Sequence, residues 1–75
     1  MSGYLKVLFE GSGTQRLIDL LTNEEWEVAG AQPGMLLIAA EEQLAKKLKK
    51  AVWKLNGGLW CEVSLISYDD ADKYL

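Results

Sequence analysis

Leu5, Val7 and Phe9 alternate with Tyr4, Lys6, Leu8 and Glu10, the period of two that sends successive strand residues to opposite faces. The period then lengthens. Leu17, Leu20 and Leu21, with Ile18 at their border, recur at helical spacing, and Trp26–Ala31 and Met35–Ala40 return to short strand-like runs. Leu44, Leu48, Val52 and Leu55 form one unbroken helical stripe, after which Leu59–Ser67 alternates again. The chain reads strand, helix, strand, strand, helix, strand.

Turn chemistry sets the boundaries. Gly11-Ser12-Gly13-Thr14 leads the first strand into a helix, and Ser12 or Thr14 can accept from the free amides of its first turn. Thr22-Asn23-Glu24-Glu25 loses the apolar pattern and ends that helix. Gln32-Pro33-Gly34, between two strands, supplies a fixed φ and a residue tolerant of positive φ, which predicts an antiparallel hairpin. Glu41-Glu42-Gln43 opens the second helix with the charge its dipole favours, and Asn56-Gly57-Gly58 stops it.

These signals predict a single domain over residues 1–75. Strands fall at 4–10, 26–31, 35–40 and 59–67, helices at 14–23 and 41–56, and a tail at 69–75 adds at most a loose helical turn. Two strand–helix–strand units with right-handed crossovers then give an α+β, ferredoxin-like βαββαβ plait. Its four-stranded antiparallel sheet has order 4-1-3-2, with two helices on one face. Leu5, Val7, Phe9, Val28, Leu36, Ile38, Cys61, Val63 and Leu65 point inward. A different α+β arrangement of the same elements is the alternative.

Composition narrows the class. A chain of 75 residues has room for one core and buries roughly 60–65% of its unfolded surface. An apolar fraction of 49% excludes a disordered segment. The longest apolar run, Met35–Ala40, is far short of the ~20 residues of a membrane span, so no membrane association is expected. Met1-Ser2-Gly3 leads straight into a strand without a signal-peptide pattern, and a single cysteine forms no internal disulfide. The expected setting is reducing and cytoplasmic.

Candidate chemistry is sparse. Histidine is absent, which removes the commonest general base and transition-metal ligand. Acylphosphatase-like plaits use an arginine and an asparagine near a phosphate loop. Here the only arginine, Arg16, lies inside the first predicted helix with no such motif around it. Heavy-metal-binding plaits need paired cysteines, and Cys61 is alone, placed by its parity on the inward face as a buried thiol. No catalytic residue, metal site or cofactor is expected.

Contact surfaces are better marked. In the predicted topology Tyr4, Lys6 and Leu8 lie beside Trp60, Glu62, Ser64 and Ile66 on the open sheet face, and Leu37 joins from the third strand with Met35. A solvated face should read polar; this one is apolar and aromatic. Three readings compete: a homo-oligomer or protein-partner interface, a face covered by the tail or a loop, and a base-stacking platform of the kind seen in RNA-recognition plaits. Lys46, Lys49, Lys50 and Lys54 form a basic ridge opposite the leucine stripe, with Trp53 at its edge. The ridge reads first as a solvated helix face and second as a patch for nucleic acid or an acidic protein. A net charge of −3 argues against a dedicated nucleic-acid binder.

The Gly11, Ser12, Gly13, Thr14 loop exposes amides that can hold an anion or small ligand. It matches neither a Walker loop nor a dinucleotide fingerprint. The predicted topology is similar to that of ACT-type regulatory domains, a likeness that implies amino-acid sensing near this loop. The reading preferred from sequence is a small acidic, non-enzymatic protein-interaction module working through the open sheet face or a sheet edge. It would either self-associate, as a homodimer for instance, or mask a partner, as a phage-encoded inhibitor does. A small-molecule sensor and a weak RNA-binding plait are the alternatives.

Overall fold

The computed structural model describes residues 3–75. Strands β1 (Tyr4–Phe9), β2 (Val28–Gln32), β3 (Met35–Ile38) and β4 (Cys61–Ile66) alternate with helices α1 (Thr14–Asn23), α2 (Ala45–Leu55) and α3 (Tyr68–Ala71). Single 3₁₀ turns occupy Glu42–Leu44 and Asp72–Tyr74. Every strand pair is antiparallel and the order is β2-β3-β1-β4, the expected order read from its other edge. The expected second helix divides in two, because Glu42–Leu44 tightens into a 3₁₀ turn before α2 begins. The strands are shorter than their apolar runs. Trp26 and Glu27 precede β2, Ala39 and Ala40 follow β3, and Leu59 and Trp60 precede β4.

Register sorts the residues by face. Leu5 lies opposite Ile38 and Leu65, Val7 opposite Leu36 and Val63, and Phe9 opposite Cys61. Leu17 and Leu21 of α1 and Leu48 and Val52 of α2 pack on this layer, forming one core with Leu5, Val7, Phe9, Leu36, Ile38 and Cys61. Val28, Val63, Ile18 and Leu55 border it. Leu20 and Leu44 sit half-buried at its margin. Leu65 has inward parity but is 45% exposed, since the two-helix layer does not reach over the end of the edge strand.

The opposite face is not open. After β4 the chain turns at Ser67, whose hydroxyl accepts from the Asp70 amide at 3.1 Å, and crosses the sheet as α3 and the final 3₁₀ turn. Ala71 is buried there with Met35 and Leu37, and Tyr4, Leu8, Ala29, Ile66 and Tyr74 close around them. The tail is thus a strap with a core of its own. A glycine makes room for it: a Cβ on Gly30 would crowd the Tyr74 carbonyl oxygen at 3.1 Å, while at the end of β4 one on Gly3 would overlap the Ile66 carbonyl. The expectation of helices on one face only is corrected to two helices on one face and α3 with the strap on the other.

Local chemistry explains the joints. α1 ends in a Schellman motif, with the Trp26 amide bonding the Leu21 carbonyl at 3.0 Å and the Glu25 amide bonding Thr22 at 2.9 Å. Glu25 stands at the left-handed position with φ 71°. Its neighbour Trp26 packs against the same core as Leu21, the hydrophobic contact that accompanies this motif. The β2–β3 hairpin turns at Pro33-Gly34, where Gly34 has φ 76°, the arrangement of a type II turn. β2 is irregular, with a register shift between Val28 and Gly30 that leaves Ala29 as an extra residue. No helix among the described residues is long and apolar enough to cross a membrane.

Candidate functional site

Alternation of hydrogen bonds along β1 decides which groups of β4 are free. The Phe9 amide donates to the Gly34 carbonyl and the Glu10 amide to the Trp60 carbonyl, both at 3.1 Å. Odd-numbered residues of β1 therefore bond toward β3 and even-numbered ones toward β4. Through the register, Glu62, Ser64 and Ile66 turn their backbone groups to β1, whereas Cys61, Val63 and Leu65 turn theirs outward. β4 is a regular, unbulged strand of six residues with one free edge and no proline. The other edge, β2, is blunted by its bulge.

Most of the large apolar side chains that remain exposed gather around β4. They are Trp53 on α2, Leu59 and Trp60 before β4, Leu65 on it and Tyr68 after it, whereas the terminal Leu75 lies beside Gly30 of β2. Trp53 and Trp60, each about half exposed, line a groove of about 480 Å³ with Lys46, Lys49, Lys50 and Cys61. The helical part follows from spacing: positions 46, 49, 50 and 53 fall on one stripe of α2, on the far side from Leu48 and Val52. No carboxylate lines this groove. No lysine ammonium takes part in a side-chain hydrogen bond among the described residues.

Cys61 forms part of the groove wall yet is almost fully buried. Its Sγ lies 3.6 Å from the Lys49 carbonyl oxygen, to which it donates. Burial pushes its thiol above the ordinary value, and the Lys49 ammonium pulls back against that rise. A protonated, half-walled thiol is a packing group rather than a nucleophile.

The end of α2 beside the groove is held firmly. Asn56 Nδ2 donates to the Glu10 carbonyl at 2.8 Å, and Arg16 donates to the Leu55 carbonyl at 3.3 Å. The only arginine thus satisfies a helix C-terminus, where its charge suits the dipole.

The face residues separate into two groups. Tyr4 meets Tyr68 edge-on with centroids 5.2 Å apart, the Lys6 ammonium lies 5.9 Å from the Tyr74 ring centroid, and Ile66 and Leu8 pack at the strap. Leu37 is completely buried. Glu62 and Ser64 remain exposed, and Trp60 lies outside the strap cluster, in the α2 groove. The expected continuous apolar face is corrected accordingly: the strap takes its centre, and Trp60 belongs to another surface. Alternation along the strands could not show this; the signal lies in the tail, where Tyr68, Ala71, Tyr74 and Leu75 recur at helical spacing.

Gly11, Ser12 and Gly13 are exposed, and Thr14 begins α1. Gly13 holds the N-cap position without a side-chain bond, so neither Ser12 nor Thr14 caps the helix. Thr14 also borders a shallow hollow with Gln15, Ile18, Ala31, Gln32 and Pro33. Within the basic ridge, Lys46, Lys49 and Lys50 enter the tryptophan groove, while Lys54, with Lys50 shared between the two, borders a separate hollow beside Glu24. No three His, Cys, Asp or Glu side chains among the described residues cluster to hold a metal ion. The chain matches no family model, no curated protein and no solved structure.

Proposed function

We propose that this protein is a non-enzymatic interaction module on a ferredoxin-like plait, and that it works by accepting a strand of another protein on the free edge of β4. The observation that carries this reading is the regular β4 edge, with the outward groups of Cys61, Val63 and Leu65 flanked by exposed Trp60 and Leu65. An exposed edge of this kind is a template for strand pairing, and soluble proteins blunt such edges unless they use them. The covered sheet face moves the expected interface from the face to the edge. Exposed tryptophans beside the edge supply anchors of the kind that dominate interface energy.

The test uses Leu65→Pro. This change removes one outward amide and leaves the bonds of β4 to β1 in place, since Leu65 is opposite Leu5 at a non-bonded pair. Random displayed peptides selected against the native chain should lose binding to the folded variant. They should also slow amide exchange at Val63 and Leu65. Peptides that bind both proteins equally, with unchanged exchange, would remove the edge from consideration.

A further inference from the structure

From the α2–β4 groove we infer that the strand received by β4 is an acidic segment of a different protein, its carboxylates seated against Lys46, Lys49 and Lys50 and the stems of those acidic side chains covering Trp53 and Trp60. The inference rests on the β4-edge reading and adds the chemistry of the partner. Three lysines line one side of a groove whose lining includes no carboxylate, and none of their ammonium groups has a side-chain hydrogen bond within the described chain. Their mutual repulsion is relieved when an anion enters. The rest of the chain is acidic, with a net charge of −3, so this positive groove stands in a negative field and orients an incoming acidic segment toward itself.

Charge also decides against a second copy. β4 pairing antiparallel with its own symmetry mate would set two copies of α2 side by side on one face of the joined sheet, lysine stripe toward lysine stripe. That is a like-charge juxtaposition across the new contact. An acidic strand meets the same surface with opposite charge. On such a strand alternate residues share a face, so acidic positions spaced by two all reach the α2 side while backbone bonds form on β4.

Nucleic acid is the other polyanion that tryptophan and lysine could accept. Two observations favour protein. The basic stripe contains no arginine, and the adjoining free backbone edge suits a peptide and has no counterpart in a nucleotide chain.

The experiment uses the full chain and three fluorescein-labelled probes: a peptide of about five Glu-Val repeats, a strand of ordinary length, its Lys-Val counterpart, and an oligothymidylate of similar length. Fluorescence anisotropy and tryptophan emission are recorded for the native chain, Leu65→Pro, Leu65→Glu, and a triple variant with Lys46→Gln, Lys49→Gln and Lys50→Gln. The Glu-Val peptide is expected to bind and to blue-shift tryptophan emission. Its affinity should weaken about tenfold or more in the triple variant and on raising salt from about 50 to 200 mM. The Lys-Val peptide should not bind. Leu65→Pro should lose the Glu-Val peptide; where it fails to fold, Val63→Pro removes the neighbouring outward amide in its place, and Leu65→Glu serves the light-scattering test for a second copy.

Binding lost in the proline variant but unchanged in the triple variant would overturn the acidic partner and leave the edge reading standing. Loss in the triple variant with no effect of the proline would overturn strand addition itself. Oligothymidylate binding that competes with the peptide would reassign the groove to nucleic acid. A dimer in light scattering that Leu65→Glu dissociates would reassign the edge to a second copy, and failure of the Glu-Val peptide to bind would end the proposal.

Discussion

Gly30 and Tyr74 meet backbone to backbone across the sheet: a Cβ at position 30 would lie 3.1 Å from the Tyr74 carbonyl oxygen and 3.4 Å from Leu75 Cδ2. The strap is seated by that closeness. Gly30→Val should lift it, costing about 1–3 kcal/mol as an overpacked contact and exposing the Met35–Leu37–Ala71 cluster. Trypsin cleavage after Lys73 should quicken and a hydrophobic dye should bind. Native rates and native stability in the variant would show that the segment does not rest on Gly30.

Glu25 occupies a position that normally belongs to glycine. With φ 71° it carries the left-handed turn of the Schellman motif, and its side chain is exposed with no packing role. Glu25→Gly should raise stability by about 0.5–1 kcal/mol, the relief of left-handed strain reduced by the greater freedom of glycine in the unfolded chain. Denaturant titration reads the change, and a loss of stability would assign Glu25 a favourable interaction.

Leu48 lies fully buried at the middle of the α2 stripe, whereas Leu44 sits at its margin. Leu48→Ala should cost about 2–5 kcal/mol, a large part of the stability of so small a domain. Leu44→Ala should cost clearly less. Equal losses in two-state urea titrations would contradict the burial of the stripe.

Cys61 gives a pH dependence with a definite sign. Its thiol is raised above the ordinary 9.0 by burial, so the folded state favours the protonated form. That contribution is present in full below the unfolded value and is lost as pH rises through the raised folded value. The stability of the native chain relative to Cys61→Ala should therefore decline on going from neutral to strongly alkaline solution. Alkylation of the native thiol at neutral pH should be slow and should become fast in urea. Rapid native alkylation would place the thiol in contact with solvent.

Backbone alternation on β4 predicts a zigzag in amide exchange. Glu62, Ser64 and Ile66 should be protected, whereas Val63 and Leu65, facing the free edge, should exchange quickly in dilute solution. Uniform protection along the strand would mean that the edge is already paired.

Much of this architecture is legible in the residues, for physical reasons. Leu5, Val7 and Phe9 alternate because a two-faced sheet demands it, and Leu48 and Val52 recur because a helix turns every 3.6 residues. What periodicity conveys poorly is coverage by short irregular elements. Ala71 and Tyr74 seal the second face, yet the stripe Tyr68, Ala71, Tyr74 and Leu75 that carries them is only about two turns long and set among acidic residues. Leu65 shows the converse: its parity is inward, but parity does not say how far the helical layer extends. The groove was half legible, since the lysines and Trp53 share a helical stripe while Trp60 joins them only through the tertiary fold.

The extra residue at Ala29 has a consequence for how this chain tolerates change in length. Val28 pairs with Ile38, and without the bulge Gly30 would pair with Leu36 and Ala31 with Met35. As folded, Gly30 pairs instead with Leu37, so the glycine arrives beneath Tyr74 and Ala31 takes the other side. Deleting the Ala29 codon would let the strand pair regularly with Gly30 still opposite Leu37, whereas deleting the Gly30 codon would bring an alanine methyl under the Tyr74 carbonyl. The bulge thus decides which residue lies under the strap: without it the full-length strand would set Ala29 opposite Leu37 and turn Gln32 toward the two-helix layer. The hairpin therefore acts as a counted spacer between its turn and the strap it carries.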